Sequence, residues 1–82
     1  MKNAAEVRSN MWCDAKCVAI AAYAIENQAT RIQYDINYSL QMEGRLIINQ
    51  QLLDDMSAEI QNLTRYFESL KKEYEEYNSG EG

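Results

Sequence analysis

The sequence predicts an all-α fold, an antiparallel two-helix hairpin of coiled-coil type that dimerises into a four-helix bundle, and three observations predict it. The chain of 82 residues has no proline and only three glycines, two of them in the last three positions, which leaves little of the turn chemistry that strands require. Two apolar runs recur in alternating steps of three and four, the spacing of a helix that lies along another helix. The two runs fall out of phase with each other at Gly44.

The first run takes Met11, Ala15, Val18, Ala22, Ile25, Ala29, Ile32 and Ile36. Its helix begins with Asn3-Ala-Ala-Glu6, a capping-box pattern in which the Asn3 side chain accepts from the amide three residues on. Thr30-Arg-Ile-Gln33 matches the same pattern, but the apolar spacing runs through it unbroken, so a single helix over about 4–42 is expected. Glu43, Gly44 and Arg45 form the turn, because glycine takes the left-handed conformation that ends helices. The second run takes Leu46, Asn49, Leu53, Met56, Ile60, Leu63, Phe67, Leu70, Tyr74 and Tyr77, which predicts a helix over about 46–77 and a frayed tail over 78–82, all in one domain.

Folding back at the glycine pairs seam residues whose numbers sum to 85, from Ile36 with Asn49 to Met11 with Tyr74. Ala15, Ala22 and Ala29 then face Leu70, Leu63 and Met56, so small meets large. Asn49 occupies a seam position, where an amide fixes register or bonds to backbone near the turn. The alternative to a hairpin is a rod, one coiled-coil helix continuous through Gly44 and about 110 Å long at 1.5 Å per residue.

A hairpin buries one stripe of each helix, yet 12–25 is apolar nearly all round. Cys13, Cys17, Ile20 and Ala24 form a second stripe, with Trp12, Ala21 and Tyr23 beside it, and this is the predicted protein-binding face. Ile47, Ile48, Leu52, Leu40 and Tyr38 add apolar surface near the hairpin tip. Cys13 and Cys17, four apart, lie on one helix face as small apolar residues.

Histidine is absent, which removes the commonest general base and metal ligand. Adjacent carboxylates such as Asp54 with Asp55 and Glu75 with Glu76 point about 100° apart on a helix and do not converge. No catalytic, cofactor-binding or metal site is expected, and no small-molecule substrate. A net charge of -5 with scattered lysines and arginines argues against direct nucleic-acid binding. The longest apolar stretch falls short of the ~20 residues of a membrane span and no leader pattern is present, so no membrane contact and a cytoplasmic location are expected.

The function that fits is a non-enzymatic protein-binding module, an assembly chaperone, adaptor or inhibitor of the kind phages and secretion systems encode, whose partner is a second copy, another protein or both. The second reading is an acidic mimic that blocks a nucleic-acid enzyme through Asp54, Asp55, Glu59, Glu73, Glu75 and Glu76. The third is the structural rod.

Overall fold

The structure is a computed structural model, described here for residues 3–79. Helix α1 spans Ala4–Glu43 and helix α2 spans Gln50–Ser79, and the chain reverses between them, so the hairpin is the observed architecture. The molecule measures 62 × 15 × 15 Å. That length is about half of what the continuous rod requires at 1.5 Å per residue, and the rod reading is overturned by the reversal after Gly44.

Each boundary has a local cause. Asn3 sits in extended backbone (φ -82°, ψ 163°), and its Oδ1 accepts from the Glu6 amide at 2.8 Å, so the first orphan donors of α1 are satisfied. Thr30 does not restart the helix, because its hydroxyl donates to the Glu26 carbonyl at 3.0 Å, one turn back within α1. Gly44 ends α1 at φ 72° and ψ 12°, the left-handed conformation.

A Cβ built on Gly44 meets nothing within 4 Å, so its requirement is purely conformational. Gly44→Val is therefore expected to cost about 1–2 kcal/mol and Gly44→Asn clearly less, since asparagine tolerates the left-handed region, as measured by urea unfolding.

The connector is longer than the three-residue turn that the sequence suggests, running over 44–49, and α2 begins at Gln50 rather than at 46. The reason lies in three polar anchors. The buried Ser39 hydroxyl donates to the Ile36 carbonyl at 3.3 Å and accepts from the Ile47 amide at 3.0 Å, which holds the connector against the last turns of α1. The Asn49 amide donates to Asp35 Oδ2 at 3.3 Å. The Asn49 side chain accepts from the Gln51 amide at 2.9 Å while its carbonyl accepts from the amides of Leu52 and Leu53. Asn49 is thus the cap of α2 and not a layer of the seam, and its amide chemistry is used on backbone. Asn78 and Ser79, expected in a frayed tail, are helical, and Ser79 donates to the Glu75 carbonyl at 2.7 Å; the rest of that tail lies outside the described residues.

The two helices run antiparallel in a register close to the predicted one. Hydrogen bonds between the two arms join Asn10 to Glu73, Asp14 to Ser69, Asp35 to Asn49 and Ser39 to Ile47, pairs whose numbers sum to 83, 83, 84 and 86. The core is thin. Among the described residues Val7, Ala21 and Leu52 are the buried hydrophobic ones, and no large side chain is fully buried. The radius of gyration, 18.6 Å, compares with about 12 Å for a compact domain of this length.

A candidate protein-binding side

Which side chains face inward differs from the sequence reading by one column on each helix. The row Met11, Val18, Ile25 and Ile32 lies inside as expected, but its companion row is Val7, Asp14, Ala21, Gln28 and Asp35; Ala15 and Ala22 are exposed instead, while Ala29 and Ile36, nearer the tip, stay half-buried as expected. On α2 the row Met56, Leu63 and Leu70 lies inside as expected, joined by Leu52, Glu59, Tyr66 and Glu73 in place of Leu53, Ile60, Phe67 and Tyr74. Exchanging one companion row for its neighbour corresponds to a rotation of about 50° about the helix axis, half the angle between neighbouring residues; on α1 it is complete at Ala15 and Ala22 and only partial at Ala29 and Ile36.

The rotation goes together with polar bonds between the arms. Asp14 Oδ2 accepts from the Ser69 hydroxyl at 2.7 Å and Glu73 accepts from the Asn10 amide group at 3.4 Å, and both bonds lie along one edge of the seam. Buried Ala21, 4% exposed, also lets the arms approach closely at mid-length.

One polar group of this seam is left over. Gln28 Oε1 is buried without a hydrogen-bond partner, and the register sets it level with Met56. An unmet acceptor costs about 1–3 kcal/mol, so Gln28→Leu is expected to stabilise the hairpin by about 1 kcal/mol or more in urea unfolding.

The displaced residues define a candidate site. The bonds of Asn10 with Glu73 and of Asp14 with Ser69 mark one edge of the seam, which is polar on α2 through Asp55, Asn62, Ser69 and Glu76. The opposite edge therefore carries exposed Ala15 and Ala22 and half-buried Ala29 and Ile36 from α1 beside Leu53, Ile60, Phe67 and Tyr74 from α2. Leu53, Ile60, Phe67 and Tyr74 are 38, 46, 47 and 57% exposed. Each row steps by seven residues, so a ridge of large side chains runs beside a trough of alanines along one side of the molecule, without a charge over 15–36 or 53–74 in either row.

The predicted face of α1 does not hold together as one surface. Ala21 is buried against α2, which withdraws it from any external contact. Cys17 and Ala24 are half-buried along the polar edge, in one row with Asn10. Cys13, Ile20 and Tyr23 lie on the outer back of α1, with Ile20 60% and Tyr23 67% exposed. Trp12 is on the other flank, next to the alanine trough, exposed, with Lys16 Nζ 5.2 Å from its ring centroid. Both cysteines are free thiols.

Near the tip, Leu52 is buried and Ile48 half-buried, whereas Ile47, Leu40 and Tyr38 remain exposed.

The six carboxylates of the mimic reading are also distributed. Glu59 and Glu73 face the seam, where Glu73 bonds to Asn10, and Asp54 and Asp55 accept from Gln50 and Gln51 at 3.0 and 2.8 Å. Glu75 and Glu76 are exposed near the end of α2. At 100° per residue the six point over more than half the circumference of α2.

Chemical sites are sparse. Among the described residues no group of three or more Asp, Glu, Cys or His side chains is placed to hold a metal ion. The depression lined by Thr30, Gln33, Tyr34 and Asn37 is formed by one face of α1 alone and encloses nothing. Among the described residues no helix is long and apolar enough to cross a membrane.

Compared with known proteins, the chain matches no family model, no curated protein and no solved structure.

Proposed function

We propose that the protein is a non-enzymatic protein-binding module, an adaptor, chaperone or inhibitor, that works through an apolar side of its hairpin. The observation that carries this reading is the uncovered ridge of Leu53, Ile60, Phe67 and Tyr74 beside the alanine trough of α1. A continuous apolar strip of this length on a slender hairpin marks an interaction surface, whereas singly scattered apolar residues do not.

The surface area supports it. The chain exposes 6303 Å², whereas a compact monomer of 9.5 kDa exposes about 5,000 Å², so the hairpin keeps about 1,300 Å² that a globular chain would bury. A standard interface takes about 800 Å² from each partner. Trp12 extends the same side as an aromatic anchor, in keeping with the energetics of interface hot spots.

Photo-crosslinking in the native host tests the reading. A benzophenone-bearing side chain at Phe67 is expected to capture a discrete protein species, and the same group at Asn37, exposed on the back of α1, is expected to capture none. No species from position 67, or the same species from both positions, contradicts the proposal.

A further inference from the structure

We infer that the occupant of this side is a second copy of the chain, aligned in the same direction about a twofold axis parallel to the hairpin, with the ridge of each copy seated in the alanine trough of the other. The inference rests on the protein-binding reading above and names the partner of that same surface.

The first argument is self-complementarity. An isologous interface must offer the same surface twice, with each element matched by another on the same molecule. Here the register supplies the match. Layers near a residue sum of 84 set Phe67 level with position 17, Ile60 with 24 and Leu53 with 31, each two residues, or about 3 Å, from Ala15, Ala22 and Ala29. Rotating a copy about the long axis preserves these levels and places α2 of the copy over α1. Three large side chains then meet three alanines in each half of the interface, the alternation that close packing needs. All neighbouring helices of the resulting bundle are antiparallel.

Charge selects this direction over the reverse. Turning the second copy end for end lays the alanine trough on itself, with Ala22 near Ala29, and brings Glu26 against the Glu26 of the copy, while the two ridges collide large on large. In the common direction the flanking row with Trp12 and Glu26 meets the copy's row with Lys71, Thr64 and Ser57, which opposes no like charges.

The area suffices as well. One long side of the hairpin measures 62 by 15 Å, about 900 Å², against the roughly 800 Å² per partner of a stable interface.

Sedimentation and directed cross-linking test the inference on the full-length chain. At about 200 µM the protein is expected to sediment as a dimer of about 19 kDa, twice its 9.5 kDa, with Phe67→Glu weakening association by about a hundredfold or more and Asn37→Glu leaving it unchanged. Far-UV circular dichroism of the variants in dilute solution shows whether each keeps its helices. In a Cys13→Ser, Cys17→Ser background, chains carrying Ala22→Cys mixed with chains carrying Ile60→Cys are expected to form the 22–60 disulfide in preference to 22–22 or 60–60. Dominant 22–22 or 60–60 products overturn the common direction. A monomer at 200 µM overturns self-pairing altogether, while a foreign protein captured from position 67 in the host then leaves the binding reading standing.

Discussion

Ala21→Glu is expected to unfold the hairpin. Ala21 is 4% exposed at mid-length of the seam, with Leu63 level with it in the register. A carboxylate there must either be desolvated or push the arms apart, and an unpaired buried charge costs several kcal/mol. A chain whose buried hydrophobic residues are Val7, Ala21 and Leu52 has little margin to absorb that loss. Ala22→Glu, one residue on, places the same charge on the exposed apolar side and is expected to leave the dilute hairpin folded. Thermal unfolding followed by far-UV circular dichroism checks both: loss of the cooperative transition for Ala21→Glu, and a midpoint within a few degrees of the parent for Ala22→Glu.

A second pair of neighbours reads the same geometry from α2. Leu52 is 6% exposed and Leu53 is 38% exposed. Leu52→Ala removes a packed side chain and is expected to cost about 2–4 kcal/mol, whereas Leu53→Ala in dilute solution is expected to cost no more than about 1 kcal/mol. Urea denaturation at low protein concentration gives both values. Reversed costs would mean that the seam passes through Leu53, Ile60 and Phe67 after all.

These pairs expose what the sequence carries and what it does not. Two helices, the break at Gly44, the Asn3 cap and a register within about two residues were legible, because periodicity and cap chemistry are local. The rows Met11 to Ile32 and Met56 to Leu70 were legible for the same reason. Their companions were not. On α2 an apolar or aromatic residue flanks the Met56 row on both sides, Leu52 and Tyr66 on one and Leu53, Ile60 and Phe67 on the other. Helical spacing marks such columns as apolar but is silent on which of two adjacent columns turns inward. The observed choice brings Asp14 to Ser69 and Asn10 to Glu73, bonds between residues more than fifty positions apart that no local pattern announces.

The proposed binding side is hidden by the same ambiguity. Heptad spacing places its residues in the seam and leaves the apolar back of 12–25 as the candidate face. One signal was available: Asp14, Gln28 and Asp35 share a row with Ala21, so a seam phased on that row leaves a purely apolar row outside. Of the two readings of Asn49, the seam layer fails and the bond to backbone near the turn holds, since an asparagine ahead of Gln50, Gln51 and Leu52 caps the helix once the preceding Leu46-Ile-Ile is held by Ser39 instead of by helical bonds.

The central claim is that the Phe67 side of the hairpin is a docking surface and not part of its core. Thermal unfolding of the parent chain and of Phe67→Ala, each at about 2 µM and about 200 µM, measures it most directly. The account predicts equal midpoints at the low concentration, and at the high one a raised midpoint for the parent alone. A large and equal loss for Phe67→Ala at both concentrations, as for an aromatic ring taken from a core, would contradict it.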